Sequence, residues 1–289
     1  MAVNMATTYT ELMQLNIPDV RSSYCAKDTM LYALSLGLGA DPLNETDLTM
    51  VYEKDLKALP TLPVVLAHPG FWPREQKSGL DFVKIVHGGQ FIKLHKTLPI
   101  EGDIVGRGKV RDVIDKGEGK GALVYFERCL FDAQTNEKLV TMEQTLFCRG
   151  DGGMGGSGGS APKPHVVPER NADVSWDCKL MPQTALLYRL NGDMNPLHAD
   201  PKIAQQAGFE RPILQGLATM GVAAAALTKT VCDGDPQKIT ELDVRFTRPC
   251  FPGETLRTEA WVDGGDVSFR VSVPDRKVTV IDNGRASLI

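Results

Sequence analysis

No apolar run in this 289-residue sequence approaches the roughly 18 residues that a membrane helix requires; the longest, Met220 to Leu227, is less than half of that. A basic block is missing as well. The balance of 32 Lys+Arg against 36 Asp+Glu, a net charge of -4, argues against nucleic acid as the main partner. Residues Met1 to Tyr9 lack both the basic start and the apolar run of a secretory signal, so secretion is not expected. The cysteines at 25, 129, 148, 178, 232 and 250 contain no Cys-x-x-Cys pair and no Cys/His cluster at zinc-ligand spacing. They read as reduced thiols serving as small apolar side chains, with no metal expected.

The length suits about two domains. Arg149 to Pro164 is so rich in glycine that it reads as a flexible linker. This divides the chain into 1–149, a linker over 150–164, and 165–289. Gly153, Gly155 and Gly158 match the Gly-x-Gly-x-x-Gly spacing of nucleotide-binding turns, but Pro162 and Pro164 follow where a helix would have to open.

In the second half, Thr184 to Leu190 reads as a short helix that stops at Asn191-Gly192. Asp200-Pro201 reads as an N-cap with proline in the first helical position, and Gly208 as the stop. A helix from Gly216 to Val231 is apolar almost all round and therefore buried. Strand patterns follow at Leu242–Phe246, Thr255–Val262, Val267–Val273 and Val278–Asp282, with turns at Pro252-Gly253, Gly264-Gly265 and Asn283-Gly284. The expected class is α+β, an antiparallel sheet curled around one helix. The first half repeats the plan: Leu31-Tyr32-Ala33-Leu34 matches Leu187-Tyr188-Arg189-Leu190, and Asp41-Pro42-Leu43-Asn44 matches Asn195-Pro196-Leu197-His198. There Pro60, Pro63, Pro69 and Pro73 exclude a continuous central helix. An irregular segment in its place could leave an acyl channel lined by Leu62, Val64, Val65 and Phe71, or could pack over the sheet and close it.

Chemistry concentrates in Tyr188-Arg-Leu-Asn-Gly-Asp193-Met-Asn195-Pro-Leu-His198. Gly192 and Pro196 can bend the chain so that Asp193 and His198 converge on one water. Taken alone, the pair also fits a capping aspartate and an ordinary hydrogen-bonded histidine. Only the second half keeps it, since Asn44 replaces the histidine in the first.

This segment, with Ala207-Gly208-Phe209 and Pro212-Ile-Leu-Gln215-Gly216-Leu217 after it, resembles the hydratase-2 motif of (R)-specific enoyl-CoA hydratases. Tyr52-Glu53, Leu59-Pro60-Thr61 and Val86-His87-Gly88 extend the resemblance to the whole chain, which is similar to the hydratase-2 part of peroxisomal multifunctional enzymes. Those are MaoC-like proteins with a double hot-dog fold. Asn191 and Gln215 depart from the family's usual serine and histidine.

The resemblance implies reversible hydration of trans-2-enoyl-CoA to (R)-3-hydroxyacyl-CoA, with Asp193 and His198 catalytic and the Gly216 amide binding the thioester oxyanion. Gly192 and Asn195 would support the motif loop, and Glu53 matches a functionally important glutamate, though a structural or interface role is equally open. Arg245, Arg248, His87 and Gly88 are candidates for contact with substrate or coenzyme A; the arginines could equally be solvated strand-edge charges, and His87 could simply shape its own half. His68 and His95 have no partner at catalytic spacing. No cofactor is expected, because coenzyme A belongs to the substrate. A homodimer and a cytoplasmic location are expected, or a peroxisomal one in a eukaryote, although the final Ala286-Ser-Leu-Ile289 is not the Ser-Lys-Leu address. A hot-dog thioesterase and a non-catalytic acyl-CoA-binding protein are the competing readings.

Overall fold

The computed structural model describes residues 7–289, so the reading of the first nine residues as lacking a signal falls mostly outside it. The first half runs α1 (Tyr9–Met13), β1 (Val20–Tyr24), α2 (Ala26–Ser35), α3 (Glu45–Val51), α4 (Trp72–Glu75), β2 (Ile85–Leu94), β3 (Gly102–Asp115), β4 (Ala122–Asp132) and β5 (Lys138–Cys148). The second runs β6 (Val174–Lys179), α5 (Thr184–Tyr188), α6 (Pro201–Gln206), α7 (Gly216–Thr230), β7 (Ile239–Phe246), β8 (Thr255–Asp263), β9 (Asp266–Val273) and β10 (Val278–Leu288). No helix among the described residues is long and apolar enough to cross a membrane.

All strands join one ten-stranded sheet in the order β1-β3-β4-β5-β2-β7-β10-β9-β8-β6. Read inward from either edge, the two halves have the same topology, and they meet where Gly89 to Lys93 pair antiparallel with Arg245 to Glu241. This is a double hot-dog. The matched tyrosines of the two repeats meet between α2 and α5, with Tyr32 and Tyr188 fully buried and ring centroids 5.8 Å apart.

In the second repeat α7 fills the sheet's inner face, burying Ala218 through Thr228. The first repeat has only a 3-10 turn at Leu62–Val64 and the single turn of α4 in the corresponding stretch. Leu62 and Val64 are consumed by the core, while Val65 and Phe71 keep exposed surface. Of the four residues expected to line a channel, only those two remain accessible.

One expectation needs correction. Asn283-Gly284 does not end a strand: β10 continues to Leu288 through a bulge, with Asn283 at φ +56° and its side-chain amide donating to the His165 carbonyl at 2.7 Å. The glycine-rich segment 150–164 has no helix or strand and is mostly exposed, and its first residues are tied to the sheet. Asp115 accepts from the amides of Gly153 and Gly155 at 3.0 and 2.8 Å, and the Tyr9 amide donates to the Met154 carbonyl. Those bonds draw the carboxyl of Asp115 below its ordinary value. The six cysteines are free thiols, and Cys25 alone is exposed.

One buried ion pair joins the repeats. Asp47, 3% exposed on α3, accepts from the Gly39 amide at 2.9 Å and meets Lys229 of α7 at 2.6 Å. The ammonium also lies 4.5 Å from the Trp176 ring centre. Lys229→Met leaves a carboxylate buried without its partner, which should cost about 3 kcal/mol of stability. Urea unfolding measures this, and an unchanged midpoint would remove the pair from the account.

Candidate active site

α5 tightens into a 3-10 turn over Arg189–Asn191 and ends at Gly192, whose φ of +121° is closed to other residues without strain. That reversal turns the chain toward Asp193. The Asp193 carboxylate accepts from the Asn195 amide at 3.2 Å, and the Asn195 side chain accepts from the Leu197 amide at 3.1 Å, opening the 3-10 turn Pro196–His198. Asn195 therefore orders the loop, while its own side chain stays exposed.

His198 is 8% exposed, and its Nδ1 lies 2.9 Å from the Ile213 carbonyl. A carbonyl accepts only from N–H, so Nδ1 carries the hydrogen, and Nε2 of the neutral ring keeps its lone pair. Burial holds the imidazole below its ordinary value of 6.5; the Asp193 carboxylate and the Ile213 carbonyl oppose that shift without cancelling it. The ring is neutral at pH 7, with a negative charge close by. In an NMR titration, the His198 midpoint should fall below 6.5, and Asp193→Asn should move it lower still, because a charge that favours the imidazolium is lost. An upward move would contradict this arrangement.

The loop is held at three further points. The Asn191 side chain donates to the Tyr188 carbonyl at 2.9 Å and to Ser35 Oγ of the first repeat at 3.1 Å. The Gln215 side chain, 1% exposed, donates to the Ala185 carbonyl at 3.2 Å, tying α5 to the start of α7. The Leu214 amide donates to the Cys250 carbonyl at 2.8 Å. Both departures from the expected motif thus serve to anchor it.

Gly216 is the first residue of α7, and its amide finds no acceptor among the described residues. The helix dipole adds positive potential there. A Cβ at Gly216 would lie 3.3 Å from the Phe246 ring, too close unless the ring gives way. His87 packs edge-on against that ring, centroids 5.0 Å apart, with Nε2 buried and unpartnered among the described residues. Burial pushes its imidazole down to about 4. Gly88 sits in the bulge between His87 and Gly89, and Arg245 faces Gly89 across the seam.

The remaining candidates stand apart. Glu53, Arg245 and Arg248 are exposed and make no side-chain hydrogen bond or ion pair among the described residues. His95 Nε2 meets the Thr141 hydroxyl at 2.8 Å. His68 is exposed and makes no side-chain hydrogen bond among the described residues. Sequence reasoning missed Phe246, Ser35 and Ile213. Ile213 lies inside the quoted motif and Phe246 ends an expected strand, but their contacts with His198 and Gly216, like that of Ser35 with Asn191, arise only through tertiary packing.

This arrangement, a neutral imidazole beside a carboxylate near a helix N-terminus, can take a proton from water and stabilise a nearby oxyanion. Residues 161–284 match the family described as MaoC like domain, and residues 22–150 match the MFE-2 hydratase 2 N-terminal domain. The chain is 39% identical over 249 residues to 3-hydroxyacyl-thioester dehydratase Y of Mycobacterium tuberculosis, covering 86% of this chain and 85% of that protein. It is 33% identical to the peroxisomal enoyl-CoA hydratase 2 of Arabidopsis thaliana, covering 96% of each. The crystal structure of a MaoC-like dehydratase from Phytophthora capsici superposes with a TM-score of 0.86 at 31% identity, covering 98% of both chains.

Proposed function

The chain belongs to the MaoC-like family, in its two-repeat hydratase 2 branch, and from that premise we propose that it is a hydro-lyase adding water reversibly to trans-2-enoyl-CoA in fatty-acid metabolism. The product is (R)-3-hydroxyacyl-CoA. One observation carries the assignment of residues: His198 is buried and neutral beside Asp193, and it is tied to the Ile213 carbonyl, three residues before the Gly216 amide, which finds no acceptor among the described residues.

Asp193 and His198 orient one water. Its O–H bond breaks as His198 Nε2 takes the proton, and oxygen forms the bond to C3. The C2=C3 electron pair moves toward the thioester oxygen, where the Gly216 amide receives the developing charge. The proton then passes from the pair to C2, so both parts of one water end up on the substrate. This chemistry is redox-neutral and runs without a metal or redox cofactor, with coenzyme A as part of the substrate.

Arg245, Arg248, His87 and Gly88 are proposed to contact the substrate, and Glu53 to support the motif or to act at an interface. We place the protein in the cytoplasm, or in peroxisomes in a eukaryotic source. β1 and β6 are the two edges of the sheet, and exposed edges are usually covered, which supports a homodimer. Light scattering should give twice the 31.5 kDa chain mass, and a monomer mass would refute the dimer.

The activity test follows loss of the conjugated-thioester absorbance while free thiol is titrated in parallel. Absorbance loss without thiol is the expected result. Thiol release in step with it would make the protein a thioesterase, and no change in either would leave a binding protein.

A further inference from the structure

Inward positions on the strands of a hot-dog normally carry apolar side chains against the central helix. β9 follows that rule, with Val267, Phe269, Val271 and Val273 all buried. Its counterpart β4 breaks it: Val124, Phe126 and Leu130 alternate with Arg128, which is 6% exposed. Among the described residues no carboxylate pairs with Arg128. Its guanidinium donates instead to the carbonyls of Pro63 at 3.2 Å, Val64 at 2.8 Å and Leu66, with the Met142 sulfur at 3.7 Å. Burial pushes the guanidinium down to about 9.

Those carbonyls belong to the irregular stretch that stands where the first repeat lacks its helix. A helix satisfies its own carbonyls, whereas an irregular buried segment requires outside donors. Arg128 offers five N–H donors in a fixed fork, more than any other side chain. The sheet beneath is cleared for the segment too. β3 has Gly106 at an inward position, where a Cβ would collide with the Ala67 carbonyl oxygen. On its far side the segment reaches the candidate site: a Cβ on Gly192 would lie 3.7 Å from the Val65 carbonyl oxygen, and Asp193 is the next residue.

We infer that Arg128 is a positioning residue for the reaction, fixing the 63–66 backbone that backs the Gly192–Asp193 turn, so that the repeat without a catalytic pair still sets the geometry of the one that has it. The inference rests on the hydratase reading. On this inference Arg128 acts through the segment alone, since the partners of its guanidinium are the Pro63, Val64 and Leu66 carbonyls and the Met142 sulfur.

The test compares Arg128→Met, Arg128→Lys and Gly106→Ala with the wild type. Gly106→Ala reaches the segment from the sheet side and leaves the guanidinium intact. Measured are kcat with a trans-2-enoyl-CoA, the inhibition constant of free coenzyme A, and the melting temperature. Arg128→Met should lower kcat roughly 10- to 100-fold through misplacement of the reacting groups. Inhibition by coenzyme A should stay within about twofold. Arg128→Lys, which keeps a cation and three donors, should recover part of the loss. Gly106→Ala should reproduce it, and it decides the matter with the lysine variant if Arg128→Met does not fold. Folded variants with wild-type kcat would overturn the inference, as would coenzyme A affinity falling in parallel with kcat. An inactive wild type overturns the functional reading and this inference with it; an active wild type with indifferent variants overturns the inference alone.

Discussion

Asp193→Asn and His198→Gln should each lower kcat for trans-2-enoyl-CoA hydration by about 10³-fold, within the range by which acid–base groups accelerate proton transfer. The double variant should lose little more than either single one. Both groups hold the same water in this account, and members of one catalytic unit are strongly non-additive. Losses that multiply would mean independent roles. The pH dependence adds a sign. The neutral imidazole is the active form, so the rate should fall as pH drops through the His198 value, which lies below 6.5. A limb falling above 6.5 would contradict a base held neutral by burial.

The Gly216 amide makes the second large prediction, and a side-chain substitution can isolate it. Proline is accepted in the first position of a helix but has no N–H. Gly216→Pro should therefore keep α7 while deleting the donor proposed for the oxyanion, a loss of about 10²- to 10³-fold in kcat. Both Gly216→Pro and Gly216→Ala press a Cβ against Phe246, so the alanine variant measures that crowding with the amide intact. The difference between the two is the contribution of the N–H. Equal losses would assign the whole effect to Phe246 and remove the amide from the mechanism.

Punctuation made much of the second repeat legible. Gly192, Asp200-Pro201 and Gly208 end or open the helices where the sequence reading places them, because a positive φ or a missing N–H acts on the chain directly. The four prolines between Pro60 and Pro73 likewise foretold the missing helix, since no tertiary contact restores a proline's hydrogen bond. Asn283-Gly284 misled because the same residues suit a turn and a bulge, and pairing with β9 on one side and β7 on the other decides between them. The contacts of the glycine-rich segment could not be read for a related reason. Its composition offers free amides, and whether they stay free depends on distant carboxylates such as Asp115. Arg128 left a signal that periodicity could have found: a charge at an inward position, between Phe126 and Leu130. Its partners could not be read, because they are backbone carbonyls of a segment more than sixty residues away.

The central claim is that one loop, Tyr188 to His198, delivers a single water to one face of an enoyl thioester. The most direct measurement is the configuration at C3 of the hydrated product, read by oxidation with dehydrogenases specific for (R)- or (S)-3-hydroxyacyl-CoA. Only the (R)-specific enzyme should consume the product. Consumption by the (S)-specific enzyme, or no hydroxyacyl-CoA for either to oxidise, would contradict it.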